Sequence, residues 1–411
     1  MKNNTTFKQT EIGMIPSDWE VRNIVENSTM KARIGWQGLT VSEYLDKGDY
    51  LLITGTDFVN GKIKWDSCHF VEKSRYDQDK NIQIKEGDIL ITKDGTIGKI
   101  AFVDELPLPS TLNSGVFVIR PKKNDNYLPK FLFYIFNSLF FNDFLNRLTA
   151  GSTIVHLYQK DFTSFSFPLP PTLAEQKAIA TALNDADALI QKLEQLIAKK
   201  RNIKTGAMQE LLKPKKGWEM KMLGEIALFY KGKGLAKSQI NTDGKTKCIH
   251  YGELFIKYKE QITEVTGKTN AFEGAFYSKV NDVLMPTSDV TPNGLATASC
   301  LNEDDVILGG DVLVIRIPNS IVNGSFLSYF IKLNRNEIMK LVKGVTVFHL
   351  HASDMKDFIL HYPKIEEQNK IAQILFEMEI EIQSMESQLE KYKMIKQGMM
   401  QNLLTGKIRL I

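Results

Sequence analysis

AEQKAIATAL at residues 174–183 and EEQNKIAQIL at residues 366–375 are one phrase written twice. Each follows a proline break, FPLPP at 167–171 and YPK at 362–364, and each opens a long proline-free stretch. Apolar or small residues recur at Ile179, Leu183, Ala186, Ile190, Leu193 and Leu196/Ile197 in the first stretch. In the second they recur at Ile371, Leu375, Met378, Ile382, Met385, Leu389 and Tyr392. Steps of four and three are the heptad rule of a helix–helix seam. Such a stripe is too narrow to face a globular core and suits one partner helix, and the simplest partner for each helix is the other. Two rods of roughly 55–60 Å follow from a rise of about 1.5 Å per residue. Antiparallel pairing would place one globular part at each end, about a pseudo-twofold axis. The plain alternative is a helical hairpin with no spacing role. A whole domain's worth of sequence between the helices favours the spacer.

The echo runs through the rest of the chain. PSDWEVRNI (16–24) is answered by KKGWEMKML (215–223), GDIL (87–90) by NDVL (281–284), and VIR (118–120) by VIR (314–316). GSTIVHL (151–157) returns as GVTVFHL (344–350), and IKTGAMQELL (203–212) as IKQGMMQNLL (395–404). A period this long is duplication of a domain with its connector, not a solenoid. Short β-rich runs such as GDILIT (87–92) and GVFVIRP (115–121) alternate with turn signals such as KDGT and VNGK. The predicted class is α+β: two similar α/β globular domains separated by two long helices that pair as an antiparallel coiled coil. The expected segments are residues 1–169, 170–213, 214–362 and 363–411. Gly206 and Gly398 interrupt both helices at matching positions, which signals either a local bend or frayed end, or close approach of another backbone. The final LLTGKIRLI also leads into the opening IGMIPSDWE much as LLKPKKGWE leads into the second copy, so the chain reads as a ring cut once.

Composition fits a soluble globular protein, with 43% hydrophobic and 24% charged residues over 411 positions, and this length implies two or three domains. Three scattered cysteines form no disulfide framework or metal spacing, which points to a reducing, cytoplasmic setting. The start MKNNTTFKQTEIG has no apolar core of a signal peptide. FLFYIFNSLFFNDFL (131–145) is too short to span a bilayer and is expected as a buried helix. The net charge of +4 permits nucleic-acid binding without announcing it, so local patches or partners must supply much of the attraction to phosphate.

No catalytic or metal motif survives inspection. KGKGLAKS (231–238) lacks the glycines of a phosphate-binding loop. No amino-methyltransferase signature and no glycine-rich cofactor loop occur. Glu175-Gln176-Lys177 and Glu219-Met220-Lys221 have the E-x-K form of metal nucleases without a convincing strand or acidic partner. His349 and His351 alternate with no further ligand at useful spacing. A duplicated reader without chemistry suggests recognition, with two half-sites read at a separation set by a rigid spacer.

The chain resembles specificity subunits of type I restriction-modification systems. The resemblance is carried by FPLPPTLAEQKAIATAL, by YPKIEEQNKIAQIL, by GSTIVHLYQKDF, and by the openings PSDWE and GWEMKMLGEIA, which together span nearly the whole chain. It implies two target-recognition domains, each reading half of an asymmetric bipartite site in double-stranded DNA. It also implies a helical spacer that binds two methyltransferase subunits, with motor-nuclease subunits completing the complex. S-adenosylmethionine, ATP and Mg²⁺ would belong to those partners, none to this chain. The second junction departs from the pattern, having one proline where the first has three.

Candidate DNA-binding residues lie in polar loops, where phosphate contacts from Lys, Arg, Ser and Thr are expected. They are Arg33, Gln37, Lys93, Thr96 and Lys99, then Ser152, Thr153, His156, Tyr158 and Lys160 in the first copy. In the second copy they are Lys231, Lys233, Lys237, Ser238, Thr287, Ser288, Asn293, Thr346 and His349. Arg33 and Gln37 have the side chains for bidentate contacts to guanine and adenine. Two other classes stay open at this stage: a protein-binding scaffold whose coiled coil dimerises, and a self-contained nuclease or methylase.

Overall fold

A computed structural model describes residues 6–123, 127–149, 156–241, 243–270 and 273–410. The chain forms two compact units, residues 1–193 with 388–411 and residues 194–387. Two helices of 39 residues each, α1 (Leu173–Leu211) and α2 (Ile365–Leu403), contribute to both units. Each unit therefore holds one globular part and about half of each long helix. No helix among the described residues is long and apolar enough to cross a membrane.

In unit 1 a four-stranded antiparallel sheet runs β3–β2–β4–β1, with β1 Ser28–Ala32, β2 Ile89–Thr92, β3 Ile100–Phe102 and β4 Val116–Pro121. Successive side chains of a strand point to opposite faces, and here both faces are buried. Ile89, Ile91, Phe117 and Ile119 join an aromatic core with Phe131, Phe136, Phe141, Phe162 and Phe165. Leu90, Val116 and Val118 face a second core with Leu51, Ile53 and Ile82. The expected single helix over 131–145 is two helices, Pro129–Phe136 and Leu139–Thr149. The break falls where Asn137 Nδ2 donates to Phe133 O (2.8 Å) and Ser138 Oγ to Ile135 O (2.6 Å). Short polar side chains there compete for backbone carbonyls, which ends a helix.

Unit 2 repeats the plan. Its sheet is β5 (Leu228–Lys231), β8 (Val312–Arg316), β6 (Asp282–Pro286) and β7 (Ser299–Leu301), extended by a parallel fifth strand, Gln261–Ile262. Val283, Met285, Leu313 and Ile315 face the helix-side core, and Leu284, Val312 and Val314 face the opposite core.

The repeated phrase has a structural cause. Gln176 and Gln368 are buried at the start of α1 and α2. Gln176 accepts from Leu128 N (2.7 Å) and donates to Pro170 O (3.1 Å). Gln368 accepts from Asn323 N (2.9 Å) and donates to Pro363 O (2.8 Å) and Ile321 O (3.0 Å). Each glutamine pins a helix start to its own proline break and to the segment entering a helix of the globular part.

Within each unit the long helices run antiparallel. In unit 1, Ile179, Ala180 and Leu183 share a core with Leu403 and Leu404, and Lys396 pairs with Asp187 at 2.5 Å. In unit 2, Met208 and Leu212 share a core with Ile371, Ala372 and Leu375. There Lys200 pairs with Glu381 (2.6 Å), Arg201 with Glu386 (2.5 Å), and Lys204 with Glu379. Burial would raise the Glu379 carboxyl, but the Lys204 hydrogen bond and charge hold it below its ordinary value. Of the heptad positions, Ile179, Leu183, Ile197, Ile371, Leu375 and Ile382 are buried. Ala186, Ile190, Leu193, Met378, Met385, Leu389 and Tyr392 are half-buried. Leu196 is exposed, so Ile197 is the seam residue of that pair. Gly206 and Gly398 lie inside continuous helices with open space around a would-be Cβ, so neither a close backbone approach nor a frayed end explains them.

Segments 16–19 and 406–409 meet within unit 1. Arg409 donates to Asp18 (2.9 Å twice) and to Glu175 (Nη2–Oε2 2.9 Å), and its guanidinium lies 5.6 Å from the Trp19 ring. Gly406 takes φ +68° where a side chain would collide with Pro16. Arg409→Ala leaves the buried Glu175 without its cation and should cost about 3 kcal/mol in denaturant unfolding. The Arg409 hydrogen bond holds the Asp18 carboxyl below its ordinary 3.8. The Asp18 contribution is therefore complete above pH 3.8 and is lost as pH falls through the lowered value. Asp18→Asn should be less stable than the wild type above pH 3.8, and the two stability curves should converge as pH falls through the lowered value.

Candidate nucleic-acid interface

In unit 1 three segments converge where β2 ends. Thr92 Oγ1 donates to Thr96 O and accepts from Lys99 N (2.9 Å), closing the 92–99 loop on itself. Gly98 takes φ +80°, a conformation that strains any residue with a side chain, and its would-be Cβ lies 2.5 Å from Leu145 Cδ1. Lys93 N donates to Gly115 O (2.8 Å), and Lys93 O accepts from Leu157 N (2.8 Å). These bonds tie the loop to the residues before β4 and to segment 156–160. His156 Nδ1 lies 2.6 Å from Asp94 Oδ1. Tyr158 is exposed, with Lys160 Nζ 5.4 Å from its ring. Lys93, Thr96, Lys99, His156, Tyr158 and Lys160 thus come together on one face. Lys93 is half-buried, with Nζ 5.6 Å from the Phe117 ring, and Thr96 and Lys99 are exposed. Ser152 and Thr153 lie outside the described residues.

Unit 2 builds the same face with other side chains. Thr287 N donates to Asp311 O (2.9 Å), and Thr287 O accepts from Leu350 N (3.0 Å). Ser288 pairs in register with His349, as Asp94 does with His156. Lys231 reaches Asp311 Oδ1 at 3.1 Å, and Gly310 N donates to Gly234 O (2.8 Å), which brings the 231–239 loop alongside. Lys233, Lys237, Ser238, Thr346 and His349 are exposed, and the His349 and His351 rings stack with centroids 6.0 Å apart. Asn293 is exposed, and its carbonyl accepts from Arg335 Nη2 (3.1 Å). Thr287 is half-buried, with its hydroxyl 3.4 Å from Asp311 Oδ1.

Arg33 and Gln37 are corrected by the structure. Arg33 is 1% exposed and Gln37 is 6% exposed, so neither side chain is presented to a ligand. The Arg33 guanidinium is spent inside unit 1 on Leu112 O (2.8 Å), Thr111 Oγ1 (3.1 Å) and Gln78 Oε1 (3.1 Å). Burial lowers its pKa from the ordinary arginine value. The E-x-K triplets also lose their nuclease reading: Glu175 pairs with Arg409, and Glu219 accepts from Tyr362 OH at 3.2 Å.

Two acidic residues were missed. Asp94 lies within the turn signal KDGT (93–96), next to Lys93. Asp311 stands where GVFVIR of the first copy becomes DVLVIR, a mismatch visible in the aligned phrases.

A family model described as the type I restriction modification DNA specificity domain matches residues 16–200 and again 215–393. The chain belongs to this family. The putative type I restriction enzyme MjaX specificity subunit of Methanocaldococcus jannaschii is 26% identical over 429 residues, covering 98% of this chain and 97% of the relative. The MjaIX specificity subunit of the same organism is 26% identical over 450 residues, covering 99% and 97%. Among solved structures, the type I S subunit from M. genitalium has a TM-score of 0.62 at 16% identity, covering 98% of this chain and 97% of that one. A chain from a structure of type I complex assembly and conformational transition has a TM-score of 0.52 at 16% identity, covering 96% and 99%. Those likenesses establish the fold of a specificity subunit over the full length.

Because Arg33 supports the scaffold of this specificity subunit, Arg33→Ala should act on stability. Its acceptors lose a charged donor, at roughly 2–4 kcal/mol. Denaturant unfolding should show that loss, while the DNA sequence selected by folded protein stays the same.

Proposed function

We propose that each unit of this specificity subunit reads one half of an asymmetric bipartite DNA site through its loop face. The observation that carries the reading is the repeated backbone frame. The bonds Lys93 N to Gly115 O and Leu157 N to Lys93 O recur as Thr287 N to Asp311 O and Leu350 N to Thr287 O. The side chains mounted on that frame differ between the copies. A constant frame with variable polar side chains is what reading two unlike sequences requires, since phosphate contacts position the protein and base contacts specify.

The seam of α1 and α2 sets the gap between half-sites and docks two methyltransferase subunits. Motor-nuclease subunits complete the complex. Methylation and cleavage, with S-adenosylmethionine, ATP and Mg²⁺, belong to those partners, and this chain supplies no catalytic group. The cytoplasm, where the DNA is, is its place of work.

Methylome sequencing of the host with and without the gene should reveal one bipartite motif that depends on it. Exchanging residues 20–165 for those of another family member should alter one half of the motif and leave the other; alteration of both would contradict independent reading. Adding or removing one turn in both long helices, about 6 Å, should change the gap by one or two base pairs at about 3.4 Å each. An unchanged gap would remove the spacer role.

A further inference from the structure

Each recognition face carries a carboxylate at its centre, and the two copies take it from different strands. In unit 1 it is Asp94, just past β2, beside Gly115, whose would-be Cβ lies 3.7 Å from Asp94 Oδ2. In unit 2 the strand registers place Ser288 where Asp94 stands and Asp311 where Gly115 stands. The partnering side chain moves with the acid. Asp94 is met by His156, whereas Asp311 is met by Lys231, at a register position occupied by Ala32 in unit 1.

Electrostatics alone would not keep an acid here. A carboxylate among Lys93, Lys99 and Lys160, or beside Lys231 and Lys233, repels the phosphates that those lysines suit. Asp311 also takes φ +61°, a region that a side-chain-bearing residue enters at a cost. In both faces the hydrogen bonds fall on Oδ1: His156 on Asp94, Lys231 and Thr287 on Asp311. Oδ2 takes none among the described residues, and the two side chains remain 34% and 47% exposed.

We infer that Asp94 and Asp311 are specificity-determining acceptors, each taking a hydrogen bond from the exocyclic amino group of a cytosine in the major groove of its half-site. Aspartate accepting from cytosine N4 is the pairing that base-edge geometry offers a carboxylate. The partner on Oδ1 orients the group, and at Asp311 the Lys231 ammonium also offsets its repulsion of the backbone. This inference rests on the reading of the two faces as DNA-binding.

The test is selection of bound sequences from a randomised duplex library by the full-length chain assembled with its methyltransferase partner. Asp311→Asn should shift one base pair of one half-site from cytosine toward adenine, because a carboxamide can accept from N6 and donate to N7. The preference should change by about five- to 150-fold. Asp94→Asn should do the same in the other half only. Asp311→Gly, which copies the Gly115 arrangement, should lose preference at that base pair and retain binding. Unchanged base preferences in Asp311→Asn and Asp311→Gly that still bind the wild-type site would overturn the inference and leave DNA reading intact. A wild-type complex that selects no sequence would instead overturn DNA reading by these faces, and the inference with it.

Discussion

A single buried amide at the foot of each long helix is the constraint from which the rest of the architecture extends. Gln176 and Gln368 each bond a carbonyl of the proline break and a backbone amide at the entrance to a helix of the globular part. A buried amide must find partners for both ends, and leaving one unmet costs about 1–3 kcal/mol. The glutamine therefore fixes the direction in which the helix leaves its domain. Everything downstream on that helix, including the seam positions and their charges, inherits its orientation from this point.

The charges then select one way of pairing. The first half of α1 carries Glu175, Asp185 and Asp187, and its second half carries Lys199, Lys200, Arg201 and Lys204. The first half of α2 carries Glu377, Glu379 and Glu381, Glu386 lies just past its middle, and Lys391, Lys393 and Lys396 follow in its second half. Only antiparallel alignment sets acid against base across the seam, as in the Lys396–Asp187 and Lys204–Glu379 pairs. Exposed pairs of this kind contribute little to stability. Their larger effect is to disfavour the parallel arrangement, where like charges would meet.

The two loop faces follow another logic. The sheet behind each face is buried on both sides, so its strands are constrained by packing and its backbone is nearly the same in the two copies. The loops leaving that sheet carry no packing duty at their tips. Lysine stands at 231 where alanine stands at 32, and aspartate at 311 where glycine stands at 115. Substitutions of this kind change what the face presents without disturbing the frame. A specificity subunit needs that separation of duties, because its target can diverge while its fold is kept.

The sequence by itself determined the duplication, the two long helices and the seam residues, because helical periodicity and proline breaks are local information. Ile179, Leu183, Ile371 and Leu375 could be placed on a buried stripe from spacing alone. The charge polarity of the rods is legible in the sequence too. Tertiary structure alone decided the fates of Arg33 and Gln37, which sit in a glycine-rich polar loop yet turn inward. The burial of Arg33 depends on acceptors such as Leu112 O and Gln78, far away in the chain. The meeting of Lys93, Asp94, Gly115 and His156 likewise depends on strand order and long-range hydrogen bonds. Neighbours along a chain cannot specify which distant loops will share a surface, because that choice is made when the sheet closes over its two cores.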